Sequence, residues 1–585
     1  MAPHSEPLLR SSRPSSEHES ERIEEEDALL TGEQKPQASS RRSTNYWRQV
    51  GLLSWAVLAT VLVITLGTLY QHKQTPIPKP SHDGGSKASR PSGKRNLIFM
   101  VSDGMGPTSL SLTRSYSQVS QGLPFDHQLV LDEHLIGSSR TRSTSSLITD
   151  SAAGATAFAC GKKTYNAGIS VLPDHSACGT VLEAAKKAGY TTGLVVTTRI
   201  TDATPACFAS HVNKRDEEDL IAEQLIGHSH PLGRVVDLML GGGRCHFLPN
   251  STGGESCRDD DTDVVTKAKE SGWDYRSSRS EFDSISSDLK LPLLGLFART
   301  DIPYEIDRAD QTGKYPSLSE MAKVALDGLA AATKDSDQGF FLMIEGSRID
   351  HAGHGNDPAA QVHEVLEYDK TFSQVLDFLD KDDVEGVLVS TSDHETGGLA
   401  AARQLNAKYP EYAWYPEVLA NASHSASFLA EKLHEHVEMH PQVKKDPMET
   451  YIRSQLLERG LGIYDTLAGE MDKIFQSLKF GKDQPKTHEV FADMVSRRAQ
   501  VGWSTHGHTA VDVNIYASNP DAAKALIGNH ENTEIGEFMR DYLDLDLDAV
   551  TADLKEKGEV MGEWTGPGLG DATKLGLNTY HGEFY

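Results

Sequence analysis

Asn96-Leu97-Ile98-Phe99-Met100-Val101-Ser102-Asp103-Gly104-Met105-Gly106 is the stretch on which the fold turns. A short apolar run without polar alternation is closed at its C-terminal end by an acid and two glycines. Such runs read as strands buried on both faces, the mark of a parallel sheet covered by helices. Runs of the same kind follow at 191–198, 235–240, 340–344 and 387–391, with helical stretches at 179–188, 318–333, 361–379 and 521–526. The alternation predicts an α/β fold with a large, mostly parallel central sheet and helices on both faces. Residues from about 403 to 496 break the alternation and carry His/Glu/Lys-rich helical stretches, so they are expected to form an inserted cap, or crown, on the main domain.

Upstream of residue 94 the sequence changes character. Residues 1–48 are rich in Ser, Glu, Arg and Pro and nearly without aromatics. A segment of that kind buries too little apolar surface to fold, and a disordered tail is expected. Within it, Glu25-Glu26-Asp27-Ala28-Leu29-Leu30 has the form of an acidic dileucine signal, read by cytosolic sorting adaptors. Residues 49–72 are expected to be a single transmembrane helix, because 51–70 is uncharged and apolar over the roughly 20 residues that cross about 30 Å of hydrocarbon. Trp55 and Tyr70 lie near its ends, as interfacial aromatics do. The run starts too late, is too long and lacks a small-residue cleavage site for a signal peptide. Arg41, Arg42 and Arg48 on one flank balance Lys73, Lys79 and Lys87 on the other, so charge does not set the orientation. The dileucine and two N-glycosylation sequons, at Asn250 and Asn421, predict a cytosolic N-terminus and a lumenal C-terminal part, a type II protein. Residues 73–93 read as a Pro/Gly/Ser/Lys linker, which leaves 94–585 as the main domain.

With 57 Lys and Arg against 84 Asp and Glu, the chain of 585 residues has a formal net charge of −27. That argues against nucleic acid and anionic membrane surfaces as partners. It also requires that an anionic substrate be attracted locally, by metal ions or a buried arginine. Five cysteines are too few for a disulfide-built scaffold. Cys245 and Cys257, in a Gly/Asp-rich loop, are placed to pair outside the cytosol; Cys160, Cys178 and Cys207 sit in apolar contexts and are expected to be buried thiols.

Metal-binding residue types cluster just after three of the strand candidates. Asp103 follows the first, Glu345 with Asp350-His351-Ala352-Gly353-His354 the fourth, and Asp393-His394-Glu395 the fifth. In open α/β sheets ligands bind beyond the carboxyl ends of the strands, so these groups are expected to converge. One Asp after a strand is usually a helix cap, but three such ends carrying Asp, Glu and His together are not explained as caps. Asp and His suit zinc, and a carboxylate-rich site also suits magnesium. Asp350 and His354, four apart, share one face of a helical turn, and Trp503-Ser504-Thr505-His506-Gly507-His508 adds two further histidines. In Thr149-Asp150-Ser151-Ala152-Ala153-Gly154-Ala155, Ser151 is expected at a helix N-terminus, where free N–H groups favour an anion. No Gly-x-Ser-x-Gly elbow surrounds it, which points to activation by metal instead of a triad.

Asp103-Gly104-Met105-Gly106, Asp150-Ser151-Ala152-Ala153, Asp202-Ala203-Thr204-Pro205-Ala206, Glu345-Gly346, Ile349-Asp350, Asp393-His394 and His508-Thr509-Ala510 together resemble the alkaline phosphatase family in order and spacing, over roughly 94–518. The resemblance implies a metal-dependent phosphate monoester hydrolase of broad substrate range, with two zinc ions and one magnesium ion per subunit. By the same resemblance Asp350, His354 and His508 hold the first zinc and Asp393, His394 and Asp103 the second. Asp103 also reaches magnesium, bound by Thr204 and Glu345. Ser151 is the residue phosphorylated, and Arg215 forks onto two phosphate oxygens. His508 is preferred to His506 because the family's His-x-x-x-Asp-Val spacing ends at Asp512-Val513. Asp202 resembles the bacterial form of the site and His351 the animal form, and a histidine there is expected to titrate near neutrality. The resemblance further implies a homodimer acting on small phosphate monoesters, with phosphoproteins and phosphopeptides as further candidates. With the sorting signal it implies the membrane of a vacuole or lysosome-like compartment; the alternative is the cell surface. The rival readings are diester or sulfate-ester cleavage on the same scaffold and an inactive tethered binding protein. Arg215 favours a monoester, no Cys-x-Pro-x-Arg motif is present, and no ligand position is lost.

Overall fold

The computed structural model describes residues 93–561 apart from 286–288, 443 and 480–485. The tail, the dileucine segment, the apolar run and nearly all of the linker lie outside these residues. No helix among the described residues is long and apolar enough to cross a membrane.

Twelve strands are described: β1 (Arg95–Val101), β2 (Leu135–Arg140), β3 (Thr191–Arg199), β4 (Leu238–Gly242), β5 (Asp274–Arg276), β6 (Leu293–Leu296), β7 (Phe340–Glu345), β8 (Glu385–Thr391), β9 (Glu395–Thr396), β10 (His508–Thr509), β11 (Val513–Ala517) and β12 (Gly528–Glu531). Ten form one sheet in the order β12-β2-β11-β8-β1-β7-β3-β4-β6-β5, and β9 and β10 pair separately. The sheet is parallel except around β11, which runs antiparallel to both β8 and β2. β1 shows why the apolar run decides the fold. Leu97, Phe99 and Val101 enter the apolar core on one face of the sheet, and Ile98 and Met100 enter the core on the other. Each such side chain, fully buried, contributes about 1.5–3 kcal/mol. A strand so placed tolerates no polar alternation, and helices must cover both faces.

Local signals agree with the elements they precede. The helix Leu318–Thr333 begins at a capping box: Glu320 N–H donates to Ser317 Oγ and Ser317 N–H to Glu320 Oε2. The region at 403–496 is helical, chiefly Ala426–Met439, Ala468–Ser477 and Thr487–Ala499, and it has an apolar core of its own that includes Leu429, Leu433, Ile474 and Phe491. Leu112 and Val362 of the main domain join that core.

Three expectations need correction. The strand expected at 235–240 runs Leu238–Gly242, while Val235 and Val236 are buried ahead of it. The helix expected at 521–526 is a 3-10 turn, Lys524–Leu526, because six residues after an Asn519 turn cannot offset the cost of helix nucleation. Cys160 and Cys178 are not thiols: they form a disulfide, as Cys245 and Cys257 do, and Cys207 alone among the five is free. The chain after Cys160 turns back through the bridge Val171↔Ala177, and Cys178 N–H donates to Ser170 O, which brings the two Cα atoms within 6.0 Å.

Candidate functional site

β8, β1, β7 and β3 are four neighbours in the middle of the sheet, and their carboxyl ends are level: Val101 is in register with Glu345 and with Thr391, and Val196 with Glu345. Asp103 therefore emerges beside Asp393 and His394, and Glu345 beside Asp202 and Thr204, which follow β3. Asp350 and His354 lie on the helix Arg348–His354 after β7. Two glycines permit the approach. At Gly104, with φ +75°, a Cβ would lie 2.5 Å from Asp350 Cα; at Gly154 it would lie 2.9 Å from Asp393 Cβ. The Gly154 contact brings the helix Ser151–Cys160 onto the strand ends.

Asp150 caps that helix, accepting from Ala153 N–H at 3.0 Å and from Ala167 N–H at 2.7 Å. Ser151 is buried at the first turn, and its Oγ lies 3.1 Å from His394 Nε2. Arg215, also buried, donates from Nη2 to Asp202 Oδ1 at 2.9 Å and has Nη1 3.7 Å from Asp150 Oδ2. Two carboxylates, one of them that of the residue preceding Ser151, thus hold the guanidinium.

The expected ligand positions fall into two groups whose donor atoms lie within 4.8 Å of one another: Asp350, His354 and His508, and Asp103, Asp393 and His394. Of the two late histidines, His508 reaches the first group, with Nε2 3.6 Å from Asp350 Oδ1 and 3.0 Å from His354 Nε2. His506 is exposed, and its Nδ1 lies 2.8 Å from His354 O. Every histidine of the two groups spends its other nitrogen on an oxygen. His508 Nδ1 donates to Thr149 O at 2.8 Å, His354 Nδ1 to His506 O, and His394 Nδ1 faces Thr396 Oγ1 at 3.2 Å. The Nε2 lone pairs are thereby turned inward, the arrangement of metal-ligating imidazoles. His354 and His508 place two such nitrogens 3.0 Å apart, an arrangement a cation between them relieves. Asp103 Oδ1, Asp393 Oδ2 and Thr204 Oγ1 are buried without a hydrogen-bond partner. The residues fit metal ions.

The electrostatics agree. Burial, then the charges of Asp393 and Asp350, pushes the Asp103 carboxyl well above the usual range. Burial and Asp350 push Asp393 to about 6, and burial and the nearby Asp202 and Asp393 raise Glu345 to about 8. Asp350 is the exception: against burial, His354, His508 and His394 hold it well below. Carboxylates crowded in this way need compensating positive charge. His351 does not titrate near neutrality as expected. Burial, helped by Arg348 against Asp301, brings it down to about 4.

The sequence reading missed the groups around Asp202. Arg199 bridges Asp202 at 3.1 Å, Glu218 at 2.9 Å and Asp301 at 3.0 Å, and Asp301 faces His351 at 3.8 Å. The signal for Asp301 was the apolar run of β6, which precedes it. A further buried cluster, with Glu183 Oε1 2.9 Å from both His211 and His230, is of another kind. Leu232 N–H donates to His230 Nδ1, so the proton sits on Nε2, towards Glu183. The cluster is a buried Glu183–His211 ion pair with a neutral His230 beside it, since burial lowers His230 while Glu183 raises His211 against burial.

The alkaline phosphatase family profile matches residues 94–545. The repressible alkaline phosphatase of Saccharomyces cerevisiae is 52% identical over 510 residues, covering 84% of this chain and 88% of that protein. An alkaline phosphatase of Schizosaccharomyces pombe is 46% identical over 529 residues, covering 89% and 92%. Among solved structures, the cold-active alkaline phosphatase of a Shewanella species is 30% identical with a TM-score of 0.63, covering 77% of this chain and 99% of its own. The chain belongs to the alkaline phosphatase family and is a metal-dependent phosphoric monoester hydrolase.

Proposed function

We propose that this enzyme transfers the phosphoryl group of a broad range of phosphate monoesters to Ser151 Oγ and then to water, releasing inorganic phosphate. The observation that carries the reading is the position of Ser151 Oγ, 3.1 Å from His394 Nε2 at a helix N-terminus whose capping Asp150 also holds Arg215. Asp350, His354 and His508 hold one zinc ion, and Asp393, His394 and Asp103 the other. Thr204, Glu345 and Asp103 hold magnesium, with Asp202 and His351 in support. When bound, the metals supply Lewis acidity, lowering the serine pKa and stabilising the leaving oxygen. Arg215 takes two phosphoryl oxygens in a fork that lysine cannot form. In the first step the Ser151 Oγ–P bond forms as the ester P–O bond breaks; in the second, water displaces Ser151 from phosphorus. Asp150 fixes the helix turn from which Ser151 acts.

We further infer a single membrane span at 49–72, a cytosolic tail at 1–48 read by sorting adaptors, a lumenal domain of 94–585 with a cap at about 403–496, and a homodimer in the vacuole membrane. The two disulfides belong to an oxidising compartment, and Asn250 and Asn421 are exposed. Retention in the membrane pellet after an alkaline carbonate wash tests the anchor.

The decisive assay is hydrolysis of an aryl phosphate before and after chelation, beside Ser151→Ala. Activity lost to chelator, restored by zinc plus magnesium, and reduced by at least about 100-fold in the variant is expected. Chelator-resistant turnover or an unimpaired variant refutes the site assignment.

A further inference from the structure

Thr396 is not a member of either ligand group, yet it touches segments that carry both. Its side chain is wholly buried. Its Oγ1 donates to Asp350 Oδ1 at 2.5 Å and lies 3.2 Å from His394 Nδ1. Its backbone pairs with His508 in the β9–β10 ladder, and its N–H donates to Gly104 O, next to Asp103. Gly353, beside His354, packs so closely that a Cβ there would lie 3.0 Å from Thr396 Cβ.

The hydroxyl carries a single proton. Since that proton goes to Asp350, Oγ1 can only accept from His394, and His394 must carry its proton on Nδ1. The Nε2 lone pair is then directed at Ser151 Oγ and at the carboxylates of Asp103 and Asp393, 3.6 and 3.2 Å away. His354 and His508 are steered by backbone carbonyls, those of His506 and Thr149. Of the three imidazoles His394 alone is steered by a side chain, and that side chain also holds a carboxylate of the other group.

We propose that Thr396 is a positioning residue that locks the His394 tautomer and the Asp350 carboxylate together, so that the two metal groups are ordered as one unit. The inference rests on the two-zinc reading above. It makes the Thr396 hydroxyl, not its methyl group, the feature that matters.

Thr396→Val keeps the shape and removes the hydroxyl; Thr396→Ser keeps the hydroxyl. The full chain, purified with zinc, is transferred to buffer with a chromogenic chelator, and zinc release is followed alongside kcat and KM. Loss of such a supporting contact weakens metal retention or activity by roughly 10–100-fold. Thr396→Val is expected to release zinc faster by that factor and to lose kcat with little change in KM, and Thr396→Ser to restore both. Zinc release and kcat unchanged in Thr396→Val overturn the proposal. So does an equal defect in Thr396→Ser, which would assign the effect to methyl packing against Gly353. Failure of the parent reading is distinguishable, because the unaltered protein would then hold no zinc.

Discussion

Arg215 stands in Asn213-Lys214-Arg215-Asp216-Glu217-Glu218, a setting in which an arginine is ordinarily a solvated ion-pair partner. In the fold it is buried between Asp202 and Asp150, which orient its guanidinium. Lysine retains the charge but not the planar fork. Hydrogen bonds to charged groups contribute about 1.5–3 kcal/mol, equivalent to roughly 10–100-fold in rate. Arg215→Lys is therefore expected to lower kcat/KM for an aryl phosphate by that factor, and an equally efficient variant would remove Arg215 from the phosphoryl oxygens. At this scale the candidate ligand residues were legible, because a strand end followed by Asp, Glu and His is a local pattern. Arg199, Asp301 and Thr396 were not, since what they do depends on partners 102, 102 and 46 residues away.

Among the elements, the helix Ala426–Met439 is clasped at its N-terminus by Asp307 and Asp357. Ser425 N–H donates to Asp307 Oδ1 at 3.0 Å and Ala426 N–H to Asp357 Oδ2 at 2.7 Å. Asp357 Oδ1 also accepts from Ala359 and Ala360 N–H, so one carboxyl caps two helices. In Asp357→Asn an amide can accept for only one of those helices and must set a donor against the N–H of the other. A buried group left unsatisfied costs about 1–3 kcal/mol. The expected result is a loss of stability of that size, with faster amide exchange in the first turn of Ala426–Met439; unaltered exchange there would mean that the clasp does not hold that helix. The strands β1, β3, β7 and β8 and the helix Leu318–Thr333 were legible as elements, since burial on both faces and a capping box are written locally. β11 was not: its antiparallel place between β8 and β2 is set by pairing partners far away in the sequence.

For the molecule as a whole, removing the metals should change how stability depends on pH. Without them the Asp103 carboxyl is raised well above its ordinary range, Asp393 to about 6 and Glu345 to about 8, against roughly 4 in the unfolded chain. A carboxyl raised on folding gives stability that is complete below its unfolded value and lost as pH rises through its folded value. Those carboxylates should thus draw stability out of the stripped enzyme as pH rises to about 8, most plainly above about pH 6.5, where His394 and His508, both lowered by burial, no longer offset them; cations neutralise the same carboxylates in the loaded enzyme. The gap in melting temperature between loaded and chelated protein is expected to widen over that interval; a gap independent of pH would show that these carboxylates do not face the metals.

The sequence by itself determined the α/β class, the order of the motifs and most of the candidate ligand set, because hydrophobic period and residues at strand ends are local quantities. It also carried the family resemblance, which no single motif would have secured. The tertiary structure alone decided that Cys160 pairs with Cys178 and that His351 is too deeply buried to titrate near neutrality. It alone brought Thr396 against both groups. Those outcomes depend on distances between segments remote in sequence and on the burial of particular atoms, and both come into being only when the sheet closes its order and the loops fold over its carboxyl ends.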